Sequence, residues 1–362
     1  QPFEWLHGFY KWLSETKHRK EISVTKPVFL DQNGNAVAAF DDNDQLILFL
    51  PAKDIEGYTV VHPELLKNPE TKQFVIDIGI KQPSLKDQIY NIILPQYRKG
   101  GEIDTDPHFM LFFKYYCKCS NDEVDEFIEL IKDCEFLTYY NEGDTQPYRG
   151  SADSMYLPTK ELTEYFETKK DVRFLAIEEY RELLKPTNEK QLISFLTELG
   201  IKKEISIVSH NIDYYSSGRN DLPYHRSTRG IEETVIEGCK EIVEYIHDND
   251  DTEKSIVLWN SLLRIIETYC NQWRTLDDVL RGTVRYFYYS PQYDSFISSD
   301  VKLLRESAWI KSSNGSFVSP DDLYLDELSD VYDTTSEYAA QLLNFLGITE
   351  KDSSEDIEDE GD

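Results

Sequence analysis

The chain has 362 residues and a formal net charge of −30, and its apolar and aromatic fractions of 40% and 13% are those of a globular protein. This length exceeds that of a usual single domain, so two or three modules are expected. The acidic balance argues against general binding to nucleic acid or to anionic membranes, because a phosphate-binding surface needs clustered Lys and Arg.

The cysteine content and the absence of long apolar runs bear on the compartment. Five cysteines, an odd number, do not form a disulfide framework and favour a reducing environment. No run of about 18 uncharged apolar residues predicts a membrane span, and no signal peptide is visible, so we expect a cytoplasmic protein without a membrane partner. The chain enters an apolar helical stripe directly after Gln1, which favours a fragment of a longer polypeptide.

The first hairpin signal follows this opening helix. Asn33-Gly34 stands between two apolar runs, residues 27–30 and 36–40. Asn-Gly in this setting predicts a β-hairpin with a type I′ turn, in which both central residues need φ > 0.

Two serines mark predicted helix starts. Ser84 begins an apolar helical pattern that we expect to stop before Pro95, because proline lacks the N–H that a helix interior needs. Ser120 and Glu123 form a capping box, in which each side chain binds an amide at the helix start. A second hairpin is predicted over residues 134–158.

The C-terminal part is predicted to be mostly helical. Residues 231–307 carry apolar stripes that indicate a helical block, and residues 256–273 are apolar on most faces, which predicts a central buried helix. The residues expected to belong to its core are Trp259, Leu262, Ile266 and Trp273.

The same order of elements recurs three times along the chain. An apolar strand is followed by an Asn/Gly turn, then by an apolar step ending in Pro, then by a helix that closes on Gly-Ile. Such repetition predicts an array of modules that pack on their neighbours. The copies have their strand, turn, Pro step and helix end at 27–30, 33–34, 48–51 and 78–80, then at 136–140, 141–143, 155–158 and 199–201, and finally at 308–311, 314–315, 317–320 and 346–348.

The predicted fold class is therefore α+β, with helix-rich modules and small β-hairpin units repeated two to three times. Module one spans residues 1–101 and module two spans 102–206. Residues 207–350 hold the helical block and a degenerate third module. Residues 351–362 carry seven carboxylates and almost no apolar side chain, which predicts an acidic, disordered tail.

Three phrases of the sequence carry a family resemblance: Ser-Ala-Trp-Ile at 307–310, Asn-Gly-Ser-Phe-Val-Ser-Pro-Asp-Asp-Leu-Tyr at 314–324, and Met-Tyr-Leu-Pro-Thr-Lys-Glu-Leu at 155–162. They resemble the repeat region of sacsin-like proteins, and the resemblance covers most of residues 31–348. It implies a large parent protein, here a bacterial member, in which a GHKL-type ATP-binding domain is joined to long stretches of such repeats.

The resemblance also implies which motifs an ATP site of this family would have. These motifs are missing from this chain. A GHKL domain has a helix with Glu and Asn for Mg²⁺, an Asp-x-Gly-x-Gly turn and a glycine-rich lid. Asp77-Ile78-Gly79 offers only Asp-x-Gly, at the position where the other copies end a helix, and no Gly-x-x-x-x-Gly-Lys-Ser/Thr loop exists. We therefore expect no catalytic residue and no cofactor here.

The expected function is a non-catalytic scaffold or protein-interaction segment of a larger sacsin-like, chaperone-type ATPase. Its partners would be other proteins or the ATPase domain of the same parent chain. One locally basic, polar loop in residues 210–230 is the candidate contact for an anion or an acidic partner. A surface loop whose arginines cover apolar surface is the alternative. The candidate contact residues are His210, Arg219, His225, Arg226 and Arg229, and the candidate interface residues are Tyr214 and Tyr215.

Three other interpretations compete. Cys117-Lys118-Cys119 with His108 and Cys134 suggests zinc, but a second cysteine pair is absent, so we expect no metal. The second is an enzyme of mixed α/β fold with a hidden site around residues 210–229. The third is a decoy whose negative surface imitates nucleic acid, and against it the acidic residues are spread over amphipathic helices.

Overall fold

The fold is α+β, with helices and small antiparallel sheets, as predicted. The computed structural model describes residues 2–42, 44–52, 58–99, 103–141, 145–185, 188–213, 222–223, 227–287 and 289–351. Within these ranges no helix is long and apolar enough to cross a membrane.

The helices and strands follow one another along the whole chain. The helices are α1 (Pro2–Ser14), α2 (Lys17–Thr25), α3 (Pro69–Asp77), α4 (Leu85–Gln88), α5 (Leu94–Lys99), α6 (Asp106–Tyr116), α7 (Asn121–Ile131), α8 (Lys160–Phe166), α9 (Ile177–Leu183), α10 (Glu189–Glu198), α11 (Cys239–Asn249), α12 (Thr252–Tyr269), α13 (Leu276–Val279), α14 (Ser299–Glu306) and α15 (Ala339–Leu346). The strands are β1 (Phe29–Leu30), β2 (Ala36–Val37), β3 (Leu137–Tyr139), β4 (Tyr148–Gly150), β5 (Ile207–Asn211), β6 (Thr228–Ile236), β7 (Arg281–Tyr286), β8 (Gln292–Ile297), β9 (Ile310–Lys311) and β10 (Phe317–Val318).

By their internal contacts the residues form two compact units. Unit 1 comprises Gln1–Phe136 and Pro186–Phe195, and unit 2 comprises Leu137–Lys185 and Leu196–Asp362. The predicted module bounds at residues 101, 206 and 350 follow the sequence repeats, and the division by contacts does not coincide with them.

All three repeat copies contain a short hairpin. Strands β1 and β2 pair antiparallel, as do β3 with β4 and β9 with β10. The turn residues 142–144 of the second hairpin lie outside the described residues. The first and third turns share one geometry, in which the glycine N–H donates to the carbonyl three residues earlier: Gly34 to Asp31 at 3.0 Å and Gly315 to Ser312 at 2.9 Å.

The predicted type I′ turn was wrong. Gly34 and Gly315 have φ of 83° and 92°, but neither Asn33 nor Asn314 belongs to the described non-glycine residues with positive φ. The reason is the length of the connection, since the backbone N–H of Asp31 pairs with the carbonyl of Asn35. A loop of this length needs a left-handed residue only at its glycine.

Each copy closes its helix with the same hydrogen bonds. The glycine N–H donates to the carbonyl three residues back, and the next N–H, of isoleucine, donates to the carbonyl five residues back. This is the Schellman arrangement, for which glycine is favoured because it adopts positive φ without a Cβ clash. The closing pairs, all with a buried isoleucine, are Gly79-Ile80, Gly200-Ile201 and Gly347-Ile348, and their glycines have φ of 100°, 108° and 80°.

The residue after each closing pair is bonded back to the body of its own copy. In every case its carbonyl oxygen accepts a hydrogen bond from the N–H of a leucine that precedes the helix. The helix end is thereby fixed to the apolar segment before it. The bonds join Leu50 to Lys81 at 3.0 Å, Leu157 to Lys202 at 2.9 Å, and Leu325 to Thr349 at 2.9 Å.

In unit 1 the helix that begins after Ser84 does not stop before Pro95. Ser84 and Asp87 form a capping box, and α4 continues through a π-helical stretch, Ile89–Ile93, into α5. Pro95 lies just after the π-helical stretch, where the regular ladder of α-helical hydrogen bonds is already interrupted. The capping box at Ser120 is confirmed at the start of α7.

Two apolar groups form the interior of unit 1. One joins α1, β1 and α3, where the rings of Tyr10, Phe29 and Phe74 stack with centroids 5.6–6.2 Å apart. The other is an aromatic group around α6, in which Phe112 lies edge-on to Phe127 and Phe136. Such edge contacts are the preferred geometry of aromatic pairs.

In unit 2 the expectation of a helical block over residues 231–307 was wrong in part. Strands β5, β6, β7 and β8 form a four-stranded antiparallel sheet in that order. The apolar stripe that starts at Ile231 changes period, because β6 ends at Ile236 and Gly238, with φ of 84°, precedes α11. A Cβ on Gly238 would lie 2.9 Å from Phe166 Cε1, so both the backbone and the packing require glycine there.

The core of unit 2 surrounds α12. Trp259, Leu262 and Ile266 are fully buried on this helix, as predicted. Trp273 is 85% exposed and lies beyond the end of α12, so its expected place in the core was wrong. The helix ends at Tyr269, and a tight turn closed by Asn271 and Arg274 carries the indole away from the core.

Candidate functional site

The structure describes only part of the predicted site. His210 lies on β5 and Arg229 on β6, both exposed. The other predicted contact residues, Arg219, His225 and Arg226, and the predicted interface residues Tyr214 and Tyr215 lie outside the described residues.

His210 contacts a buried carboxylate on the neighbouring strand. Its Nε2 lies 3.3 Å from Oε1 of Glu233, the residue opposite it in the β5–β6 register. Glu233 is already engaged, because it accepts hydrogen bonds from the N–H of Ser299 at 3.0 Å and from its hydroxyl at 2.9 Å. The pair thus joins β5 and β6 to the first residue of α14, where a carboxylate also favours the helix dipole.

A second buried carboxylate belongs to the same junction. Asp300 accepts a 2.6 Å hydrogen bond from the N–H of Ile236. Burial raises the pKa of Asp300 to about 6; the hydrogen bond from Ile236 opposes the rise, and the carboxylates of Glu233 and Glu241 add to it. This arrangement connects the sheet to α14.

Arg229 lies beside a second arginine that the sequence did not single out. The β6–β7 register shifts between Thr228 and Gly230, so Arg229 is the extra residue, and Gly230 is opposite Arg285. The guanidinium of Arg229 donates to the carbonyl of Thr228 at 3.4 Å.

The turn between β7 and β8 exposes aromatic side chains. Phe287 is 49% exposed and Tyr289 is 98% exposed, and Tyr293 at the start of β8 is 62% exposed. Phe287 has φ of 61°, which is rare for a bulky residue, and its N–H donates to the carbonyl of Ser227 at 3.2 Å.

Strands β7 and β8 form a two-stranded ribbon of the sheet. Within it, an aromatic ring from β8 covers Gly282 on β7. A Cβ on Gly282 would lie 2.0 Å from Cζ of Phe296, its partner on β8, whereas Gly230 has open space around it. Phe296 belongs to a small apolar cluster with Ile231 and Val284. The close approach of ring and backbone is a reason for glycine in the middle of a strand.

Gly282→Ala is expected to lower the free energy of unfolding by about 1–3 kcal/mol, because the ring of Phe296 must move from its packed position. Gly230→Ala is the matched control and should be neutral or slightly stabilising. Urea unfolding followed by circular dichroism measures both. Equal stability of the two variants would show that the ring over Gly282 moves without cost.

A groove between α8 and α12 is bounded by charged side chains. Its volume is about 470 Å³, which lies within the range of small-ligand sites. Arg264 from α12 and Glu161 from α8 face each other across it, with 3.5 Å between Nη2 and Oε1. None of its lining residues comes from the predicted loop 210–229.

The structure describes the residues of the candidate metal and nucleotide motifs. Within the described ranges no three His, Cys, Asp or Glu side chains are grouped as a metal would require. Burial raises the pKa of the Cys134 thiol to about 11, which disfavours the thiolate that zinc needs. Asp77-Ile78-Gly79 is the end of α3, as interpreted from the sequence.

Comparison with known proteins gives no relative: no family model, no curated protein and no solved structure matches the chain.

Three residues of this region were not predicted from the sequence: Glu233, Arg285 and Asp300. They come from strands and a helix that are distant along the chain. A signal did exist for the strands, because residues 281–297 are rich in Tyr and Phe.

Proposed function

We propose that this chain is a non-catalytic, protein-interaction segment of a larger sacsin-like, chaperone-type ATPase. The observation that carries the interaction part is the β7–β8 ribbon, whose turn leaves Phe287 and Tyr289 in solvent. Exposed rigid aromatic side chains are typical anchors of protein interfaces. The sequence repeats support the family part, since their three copies share one helix closure.

The alternative of an enzyme around residues 210–229 stays a prediction. Of its residues, His210 is on the surface and directs its Nε2 at Glu233, which holds Ser299. A general base needs a second group that carries substrate or nucleophile within hydrogen-bond reach. The described contact of His210 is with Glu233, whose Oε1 also accepts a hydrogen bond from the hydroxyl of Ser299.

Site-specific photocrosslinking in cells of the source organism tests the interaction. A benzophenone amino acid is introduced at Tyr289, and at Tyr245 on α11 as an exposed control. We expect protein crosslinks to accumulate at position 289, with the ATPase part of a parent chain or one defined protein among them. Equal crosslinking at both positions, or none at 289, would contradict the proposal.

Calorimetry with ATP and Mg²⁺ separates the scaffold from the enzyme. We expect no saturable heat in the micromolar range, because the carboxylate helix, the glycine turn and the lid of a GHKL site are missing from the sequence. Saturable micromolar binding would favour the enzyme alternative and contradict the proposed function.

A further inference from the structure

The groove between α8 and α12 continues into a smaller recess. The groove is lined by residues of α8, of α12 and of the segment before α15, and the recess has a volume of about 20 Å³. Both cavities are lined by Glu161, Ser261 and Arg264, so they form one site, which we term the α8–α12 site. All of its lining residues belong to unit 2.

A buried hydroxyl without a partner lies where the two cavities meet. Ser261 is 6% exposed, and its hydroxyl makes no hydrogen bond within the part of the chain that the structure describes. Its Oγ is not sealed within the protein, unlike the unpaired hydroxyl of Tyr165, so it faces the open space of the cavities that it lines. A hydroxyl that is left unpaired in such a place costs free energy, which a bound polar group would recover.

Charges of both signs follow this hydroxyl along α12. Arg264 and Glu267 come after Ser261 at intervals of three residues, and side chains at this spacing have Cβ atoms about 5–6 Å apart. Arg264 pairs with Glu161 at 3.5 Å, which is longer than a strong ionic hydrogen bond, so its guanidinium keeps donors for a ligand. Glu267 forms no ion pair with a described residue.

The charge pattern favours a ligand that carries both signs. A purely anionic ligand would meet Glu164 and Glu267, and a purely cationic ligand would meet Lys160 and Arg264. A carboxylate beside Arg264 and an ammonium beside Glu267 would each meet the opposite charge. The hydroxyl of Ser261 can donate to that carboxylate. A free α-amino acid has this pair of groups at a short separation.

The recess limits the size of the side chain that such a ligand can carry. Its apolar lining comes from Leu162, Ile205 and Ile265, all of which are buried. A volume of about 20 Å³ accommodates about one or two groups the size of a water molecule. The recess therefore has room for a methyl or an isopropyl group and excludes an aromatic ring.

Hydrogen bonds near both ends of α12 fix the walls of the site. Near its start, Nζ of Lys254 donates to the carbonyl of Glu164 on α8 at 2.7 Å. At its end, the hydroxyl of Tyr269 donates to the carbonyl of Ile205 at 3.3 Å. Because these contacts hold the walls before a ligand arrives, binding costs less conformational entropy.

We propose that the α8–α12 site binds a free α-amino acid with a small aliphatic side chain. The carboxylate of the ligand contacts Arg264 and Ser261, its ammonium contacts Glu267, and its side chain enters the recess. The site does not depend on the proposed function, which rests on the exposed aromatic side chains of the β7–β8 ribbon.

Calorimetry with L-valine and the full chain tests the proposal. We expect saturable binding with a Kd below about 1 mM. Two analogues each lack one charge: 3-methylbutanoate has no ammonium, and 2-methylpropylamine has no carboxylate. Both should bind at least about tenfold more weakly than L-valine. L-Tryptophan should also bind at least about tenfold more weakly, because its ring exceeds the recess. These arms need no protein variant.

A matched pair of arginine variants places the binding at this site. Arg264→Gln should weaken the binding of L-valine at least about tenfold, because the carboxylate loses its ionic partner. Arg281→Gln is the control, since Arg281 is 54% exposed against 52% for Arg264 and pairs with Asp278 at 3.2 Å on the same unit. The control should change the Kd less than about twofold, and circular dichroism verifies that both variants are folded.

Three results would overturn the proposal. The first is the absence of saturable heat up to about 10 mM L-valine. The second is binding of either single-charge analogue as tight as that of L-valine, which would mean that the site does not recognise both charges. The third is an equal loss of affinity in the two arginine variants, which would place the binding elsewhere.

Discussion

Trp259→Ala is expected to lower the free energy of unfolding by about 3–5 kcal/mol. The indole of Trp259 is fully buried on α12, with its ring centroid 4.9 Å from that of Tyr332. Its Nε1–H donates to the carbonyl of Asp333 at 3.1 Å, so truncation removes packing and leaves a carbonyl without its partner. The loss should be large because α12 touches most of the core of unit 2.

Trp273→Ala is the matched control for this change. Its indole is 85% exposed, so the same truncation should alter stability by no more than about 0.5 kcal/mol. Urea unfolding followed by circular dichroism measures both variants independently of tryptophan fluorescence. A similar loss in both would place Trp273 in a core, as the sequence first suggested, and contradict the position of the turn at Asn271.

The parts of the fold that could be predicted from the sequence depend on local chemistry. The capping box at Ser120 and the helix end at Gly200 each follow from hydrogen bonds within a few residues. The same holds for the hairpins, where the apolar runs and the glycine are adjacent along the chain. Local signals of this kind do not need knowledge of the tertiary partner.

The four-stranded sheet could not be predicted in the same way. Ile231, Glu233 and Val235 alternate as in a strand, but the spacing of Ile231 and Val235 also fits a helix that continues into α11. The left-handed Gly238, which packs against Phe166, separates the two elements, and Phe166 is 72 positions away along the chain. Tertiary contact therefore decided between two acceptable local patterns.

The candidate site also could not be predicted from local sequence patterns alone. His210 and Arg229 were grouped because they are close in sequence, but their structural partners, Glu233 and Arg285, are set by strand register. A shift of one residue would turn each side chain to the other face of the sheet. More than 40 residues separate β6 from β7 along the chain. No rule based on sequence spacing predicts the register of two strands that are so far apart.

The junction between the sheet and α14 should make stability depend on pH. The pKa of Asp300 is raised to about 6 in the folded chain, above the ordinary value of 3.8. Between these values the folded state holds more protons than the unfolded state, so stability falls as pH rises. The full fall corresponds to about 3 kcal/mol, and about 1–2 kcal/mol of it lies between pH 5 and pH 7.5.

Asp300→Asn should remove this dependence, because an amide cannot ionise but still accepts the hydrogen bond from Ile236. Relative to the natural chain, the variant should gain about 1–2 kcal/mol of stability between pH 5 and pH 7.5 in urea unfolding. Asp248→Asn, at an exposed position of α11, should show no such gain. A stability difference between the Asp300→Asn variant and the natural chain that stays constant with pH would mean that Asp300 is ionised throughout, held by Ile236 rather than opposed by Glu233 and Glu241.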